Sequence, residues 1–240
     1  MQNSMVNPNQ IILITGSRKG IGYQLVQYYL DNDCTVIGCS RSESTINNSK
    51  YKHYILDVSN EEQVVNMYKD IRKVYGRLDV LINNAGMASL NHSLLTPVST
   101  VKKLFDTNFL GTFINSRQAV KLMQKNKFGR IINFTTVAVP LNLEGEAIYS
   151  SSKCAVEQFS KVFAKEISSM GITINSVGPT PIQTDLIKAV PKSKIDELLN
   201  QQAIKRLGEF EDVINVINFF IQKDSNFITG QTIYLGGVFK

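Results

Sequence analysis

Four consecutive aliphatic residues, Ile11-Ile12-Leu13-Ile14, run without a polar break into Thr15-Gly16. A strand apolar on both faces needs cover above and below it, as in a parallel sheet sandwiched between helical layers. The rest of the chain repeats the theme, with short apolar runs alternating with amphipathic stretches, which is the rhythm of βαβ units. Strands are predicted at 11–14, 35–38, 51–56, 80–82, 130–134, 172–177 and 232–235. Helices are predicted at 20–30, 61–75, 101–124, 147–169 and 210–223. Between 179 and 202 the rhythm breaks, where Pro179, Pro181 and Pro191 bracket an irregular stretch. There are no repeats, linkers or low-complexity tracts. The reading is one domain over 1–240, with 1–9 flexible and 181–202 acting as a lid.

At 240 residues a single α/β domain is large enough to need no staple. No apolar stretch approaches the roughly 18 residues of a membrane span, and the polar first ten residues are not a secretory signal. Cys34, Cys39 and Cys154 are odd in number and lack metal-ligand spacing, so they read as free thiols, buried or semi-buried, in a reducing compartment. The expected location is cytoplasmic, with no metal site. The net charge of +6 is spread along the chain rather than gathered in a stripe with aromatics, which argues against nucleic acid as a partner. Lys121, Lys125, Lys127 and Arg130 form one local cluster. It reads either as a solvated helix end or as a docking patch for an acidic partner.

Directly after the first strand comes Thr15-Gly16-Ser17-Arg18-Lys19-Gly20-Ile21-Gly22, which opens the first helix. Glycines there allow a tight turn and let a pyrophosphate approach the helix N-terminus, whose free N–H groups favour anions. The spacing is Gly-x-x-x-Gly-x-Gly, and turns use glycine for other reasons too.

Further landmarks follow in order: Asp57-Val58, Asn83-Asn84-Ala85-Gly86, Asn108, Tyr149-x-x-x-Lys153, Asn175-x-Val177-x-Pro179 and Thr229-Gly230-Gln231-Thr232. With the glycine loop, this set resembles the short-chain dehydrogenase/reductase family, particularly the single-domain branch that contains the 3-oxoacyl-acyl-carrier-protein reductases. The resemblance runs from Ile11 to about Gly237. It implies an α/β Rossmann fold with a doubly wound, mostly parallel seven-stranded sheet and helices on both faces. It also implies a nicotinamide dinucleotide held by Gly16, Ser17, Arg18, Lys19, Gly20, Ile21 and Gly22. Asp57 and Val58 are expected at the adenine, and Asn83, Asn84, Ala85 and Gly86 at the adenosine and ribose. Tyr149, Lys153, Pro179, Ile182 and Thr184 are expected around the nicotinamide end.

An acidic residue at the end of the second strand would bind the ribose hydroxyls of NAD, whereas a basic one accommodates the 2′-phosphate of NADP. Cys39-Ser40-Arg41 offers no acid there, and Lys19 adds a second cation. Arginine suits phosphate because its planar fork donates in pairs. With Ser40 and Arg41 at that position, the cofactor is read as NADP(H).

Tyr149 and Lys153 lie one helical turn apart and share a face. Reducing a carbonyl needs a proton for the developing alkoxide, and a tyrosine at its usual pKa of roughly 10 gives or takes one poorly near neutrality. A neighbouring ammonium favours the phenolate, so Lys153 is expected to lower the Tyr149 pKa. In the family the helix asparagine, here Asn108, holds a water that links the lysine to solvent. The family's substrate-orienting serine is replaced by Thr136, which keeps the hydroxyl but adds a stiff methyl beside the carbonyl. The usual Pro-Gly after the sixth strand reads Pro179-Thr180-Pro181.

Leu186, Ile187, Val190, Leu198 and Leu199 are expected to line the lid, with Val137, Leu141, Leu143 and loop 87–95 forming the opposite wall. His92 in that loop reads as a surface residue. The substrate is then a partly apolar carbonyl compound or its alcohol, possible forms including a carrier-bound acyl group. Met170 and Ala88-Ser89-Leu90-Asn91-His92 stand where the fatty-acid-synthesis reductase carries basic groups. A different, pathway-specific reductase is therefore placed ahead of a 3-oxoacyl-acyl-carrier-protein reductase. A weakly active NADP-binding regulator or scaffold is the reading from another class. By resemblance the chain assembles as a homotetramer or homodimer through helices 101–124 and 150–169; Val120, Phe159, Val162 and Phe163 are compatible with that contact and also with simple core packing.

Overall fold

Each apolar run becomes a strand of one sheet. In the computed structural model, which describes residues 6–182 and 190–239, these are β1 Ile11–Thr15, β2 Thr35–Ser40, β3 Tyr51–Ile55, β4 Val80–Asn83, β5 Gly129–Phe134, β6 Ile172–Gly178 and β7 Thr232–Tyr234. Their order is β3-β2-β1-β4-β5-β6-β7, and every pairing is parallel. The connecting helices are α1 Gly20–Asp31, α2 Glu61–Tyr75, α3 Val98–Phe105, α4 Gly111–Met123, α5 Ala138–Leu141, α6 Ala147–Ile167, α7 Lys192–Asn200 and α8 Phe210–Ile221.

Alternation along β1 divides the core. Ile11 and Leu13 pack with residues of α2, α4 and α6, while Ile12 and Ile14 pack with residues of α1 and α8. The strand order reverses between β1 and β4, and in such sheets ligands bind in the crevice beyond the carboxyl ends at that point.

Several elements differ from the sequence reading. The single helix expected over 101–124 is two helices joined by a π-turn, Asp106–Leu110. At its end a Cβ on Gly111 would meet Val58 Cγ2 at 2.7 Å, so the chain approaches the loop after β3 closely. The stretch after Pro191 is helical rather than irregular, because Pro191 is the N-cap of α7 and its missing N–H interrupts no helical bond there. The segment expected to be flexible, 1–9, makes contacts from residue 6 onward. Val6 is buried, the Asn9 N–H donates to the Asp33 carbonyl, and Arg77 donates to the Asn9 carbonyl.

The basic cluster is corrected as well. Arg130 is only 2% exposed, and its guanidinium donates to the carbonyls of Gly129, Gln222 and Lys223. It fastens β5 to the end of α8 and contributes nothing to a surface patch. All three cysteines are free, but Cys154 is exposed rather than semi-buried. Among the described residues no helix is long and apolar enough to cross a membrane.

Candidate active site

The crevice has two lobes that meet at Ile21, Asn84, Gly86, Met87 and Ala88. The larger, about 480 Å³, lies over the carboxyl ends of β1 and β2 and the start of α1. It is lined by Gly16, Arg18, Lys19, Gly20, Ile21, Ser40, Arg41, Asp57, Val58, Asn84, Ala85 and Gly86, all expected there, and also by Ser42, Leu56 and Thr107.

Its floor is set by contacts too tight for side chains. A Cβ on Gly22 would lie 2.3 Å from the Gly16 carbonyl oxygen, and one on Gly16, at φ +69°, would lie 2.8 Å from Ala85 Cα. Asn84 Nδ2 donates to the carbonyls of Thr15 (2.9 Å) and Gly16 (3.2 Å), and the Ala85 N–H donates to Thr15 Oγ1 (3.0 Å). The β4 end thereby clamps the glycine loop. No acidic residue occupies the first turn of α1, and Lys19 is its N-cap without a side-chain cap bond. A backbone-lined floor, an open helix N-terminus and three cations (Arg18, Lys19, Arg41) fit a phosphate-bearing dinucleotide.

Asp57 shares this lobe. Burial pushes its carboxyl up, but hydrogen bonds from the Ser59 hydroxyl and N–H, with the Arg41 charge, bring it below its ordinary value.

Three expected residues are elsewhere. The Ser17 side chain is fully buried behind the loop. The Tyr51 hydroxyl lies 3.2 Å from Ser17 Oγ and 2.9 Å from His53 Nδ1. His53 Nε2 is 3.0 Å from the Ser42 carbonyl and 3.1 Å from Ser40 Oγ. A carbonyl only accepts, so Nε2 carries the proton. Burial lowers the His53 pKa, and the Ser42 carbonyl raises it. This Ser17–Tyr51–His53–Ser40 network holds up the end of β2 and was not anticipated. Gly22 is buried and shapes the loop without lining the lobe. Asn83 turns its side chain into the sheet, onto Ser116 Oγ and Asn133 Oδ1. Thr184 lies outside the described residues, as do Leu186 and Ile187 of the expected lid.

The smaller lobe, about 230 Å³, is lined by Thr136, Tyr149, Lys153, Pro179 and Ile182 together with mostly apolar side chains. Tyr149 and Lys153 sit in the first two turns of α6, and Thr136 follows β5. The Thr136 hydroxyl accepts from the Ala138 N–H and lines the same lobe as the Tyr149 phenol. Burial pushes the phenol up to about 12, against the lowering effect of Thr136, and the Glu146 charge raises it further.

Lys153 is 4% exposed, and burial holds its ammonium down to about 8. Its Nζ donates to the Phe134 carbonyl at 2.8 Å. The expected lowering of the Tyr149 pKa by Lys153 is therefore not found in this state: burial of the phenol dominates, and the ammonium is engaged by a β5 carbonyl.

Asn108 lies in the π-turn, fully buried. Its Oδ1 accepts from the Met87 N–H (2.7 Å), and its Nδ2 donates to the Met87 carbonyl and to Ser152 Oγ (both 2.9 Å). Ser152 Oγ in turn donates to the Tyr149 carbonyl (2.7 Å). The side chain thus clamps the β4 loop to α6 rather than standing free to hold water. A Cβ on Gly86 would lie 3.3 Å from Lys153 Nζ and 3.4 Å from Asn108 Oδ1, so the two lobes meet beside the ammonium.

Val137, Leu143, Met87, Ala88 and Leu90 form the expected wall, while Leu141 instead packs against the small core of Val137, Leu198 and Val238. Val190, Ile195 and Leu198 line the lid side. Leu199 packs in that small core. His92 is not in the lobe, and its Nδ1 accepts from the Leu94 N–H. Thr180, where the family has glycine, is buried and donates to Gln202. Glu144, Glu146, Lys194 and Glu197 also line the lobe and were not anticipated.

A basic dinucleotide crevice opening onto a tyrosine–lysine pocket defines the class as a nicotinamide-dependent oxidoreductase. The sequence comparisons agree: residues 10–195 match the family model for short chain dehydrogenase, and this chain belongs to that family. It is 31% identical to the 3-oxoacyl-acyl-carrier-protein reductase FabG of Haemophilus influenzae, over 95% of this chain and 97% of that protein. Against the FabG of Escherichia coli (strain K12) it is 30% identical, over 95% and 96%. Among solved structures it is similar to ElxO with NADP bound, with a TM-score of 0.86 and 34% identity covering 95% of this chain and 97% of that one. It is also similar to 4-hydroxyisoleucine dehydrogenase complexed with NADH, with a TM-score of 0.83 and 28% identity covering 95% and 98%.

Proposed function

We propose that this chain is an NADP(H)-dependent reductase that converts a ketone to an alcohol. The observation that carries the reading is the convergence of Thr136, Tyr149 and Lys153 on one small lobe that joins the basic crevice at Gly86. NADPH, when bound, supplies the hydride for the carbonyl carbon. The residues of the chain supply the rest. Tyr149 donates its proton to the carbonyl oxygen, and Thr136, on the same lobe, orients the oxygen beside it. Lys153 brings a buried ammonium to the same lobe, and charge placed in advance where charge develops is the most effective form of stabilisation. Asn108 fixes the loop and the helix that set these distances.

Cofactor choice rests on the end of β2, where Ser40 and Arg41 line the crevice and no carboxylate does. Likeness to ElxO, solved with NADP, supports it, while the NADH-bound neighbour shows that the fold alone does not decide. The FabG relatives favour a second reading, 3-oxoacyl-acyl-carrier-protein reduction. Burial of Arg130 weakens it by leaving the proposed carrier-docking patch with surface lysines only.

The cytoplasm is the proposed location, supported by three unpaired thiols. Homo-oligomerisation through α4 and α6 is proposed too, supported by the exposed Val162 beside a half-buried aromatic cluster of Phe109, Phe113, Phe159 and Phe163.

The test is Tyr149→Phe assayed by NADPH oxidation with a ketone panel. Loss of the proton donor is expected to lower kcat by about a hundredfold or more while NADPH binding, followed by fluorescence, persists. Undiminished turnover would refute the assignment.

A further inference from the structure

Glu146 is the N-cap residue of α6, a position where a side chain ordinarily turns back to accept from the first free N–H groups. It makes no such cap bond, and among the described residues its carboxylate has no hydrogen-bond or ion-pair partner. It is half-buried and lines the small lobe, close enough to Tyr149 for its charge to oppose phenolate formation. Burial raises its own pKa.

Among the described residues, the cations on the lobe are already engaged. Lys194 is held between Glu144 and Glu197, 3.3 Å from each, and Lys153 donates to the Phe134 carbonyl. The rest of the lining that a substrate would touch is largely apolar, including Leu90, Leu143, Val190, Ile195 and Leu198. A carboxylate partly withdrawn from water beside an apolar cavity is destabilised unless a donor or cation meets it.

Resting on the reductase reading above, we infer that the substrate is a ketone with an apolar body and a protonated amino group. The carbonyl seats at Thr136 and Tyr149, and the ammonium pairs with Glu146. Pairing has a chemical consequence as well as an affinity one. It neutralises the charge that holds the Tyr149 proton most tightly on the phenol from outside, so the correct substrate makes Tyr149 a better donor as it binds. A carboxylate or phosphate at the same place meets Glu146 with like charge, which disfavours anionic carrier arms.

The probes are meta-aminomethyl-, meta-ethyl- and meta-carboxy-acetophenone, rigid ketones of similar size that cannot cyclise onto themselves. They are assayed with NADPH on the full chain, and the corresponding alcohols are titrated calorimetrically. A charge-assisted bond of ordinary strength predicts that the aminomethyl ketone exceeds the ethyl ketone in kcat/KM by about tenfold or more, with the carboxy ketone lowest. Glu146→Gln is expected to remove the aminomethyl-to-ethyl ratio, which a merely structural loss, lowering both alike, would leave in place. The amino alcohol should bind more tightly than the ethyl alcohol to the wild type, and equally to the variant. Retention of the ratio in Glu146→Gln, or a carboxy ketone that matches the amine, would overturn the inference while leaving the reductase reading intact. Absence of turnover with all three ketones would count against the reductase reading itself. The amino and ethyl alcohols binding equally to the wild type would sink the inference alone.

Discussion

On the proposed mechanism, Lys153 is the residue whose protonation sets the working range. Its ammonium is held down to about 8 by burial, and the Tyr149 phenol is pushed up to about 12. Reduction needs both groups protonated, a condition met on the acid side of 8. As pH rises through 8 the ammonium is lost first and the phenol keeps its proton. The expected profile of kcat/KM for ketone reduction is therefore flat below about 8 and falls roughly tenfold per pH unit above it, as measured in a buffer series with stopped-time NADPH assays. A plateau extending to pH 10 would show that Lys153 is not the titrating group. Thr136 gives a second residue-scale test. Its hydroxyl lines the lobe with the Tyr149 phenol, and it carries a stiff methyl that serine lacks. Thr136→Ser should equal or exceed the wild type in kcat/KM, and Thr136→Ala should lose roughly tenfold to a hundredfold, the range of one hydrogen bond to a group that becomes charged.

At the scale of elements, most of the fold could be read from hydrophobic pattern, because the central strands β1 and β4 are runs of apolar residues buried on both faces. α2 spans 61–75 as expected, and β1 extends only one residue beyond the expected 11–14. What escaped was whatever depends on a partner far along the chain. The π-turn at Asp106–Leu110 leaves the apolar rhythm almost unchanged, and its cause, the clamp of Asn108 on Met87 and Ser152, spans 21 and 44 residues. Arg130 looked like a surface charge because the carbonyls of Gln222 and Lys223 that receive it lie over ninety residues away. Ser17 looked like a phosphate ligand because nothing local shows that β3 sets Tyr51 and His53 behind it. That strand carries a prediction. His53 braces Ser40 and the Ser42 carbonyl on either side of Arg41, so His53→Leu should raise KM and the dissociation constant for NADPH about fivefold, one net hydrogen bond's worth, with NADH and kcat little affected. His53→Gln, whose amide can donate at similar reach, should restore most of the loss. Equal weakening of both cofactors would reduce His53 to general packing.

For the whole molecule, the catalytic pair and the half-buried aromatic cluster share one helix. α6 carries Tyr149 and Lys153 at its start and Phe159, Val162 and Phe163 in its middle. Phe159 and Phe163 stack at 4.9 Å, Phe109 and Phe113 of the neighbouring segment meet Phe159 edge-on, and Val162 is 48% exposed beside them. Val120, read from sequence as part of this surface, is instead buried in the core. In the proposed assembly, two-fold pairing of α4 and α6 would cover Val162 and the half-buried edge of this cluster on both copies with the same residues. Val162 is the position to probe, because it is exposed and remote from Tyr149 and Lys153 in the crevice. Val162→Arg would set two guanidinium groups against each other across a two-fold contact and leave each folded domain intact. Sedimentation velocity should then show the wild type as a dimer or larger and the variant shifted to half that mass or less. Thermal unfolding of the variant should fall and become independent of protein concentration, because association no longer stabilises the folded state by mass action. If both proteins sediment alike, the aromatic face is not where copies of this chain meet.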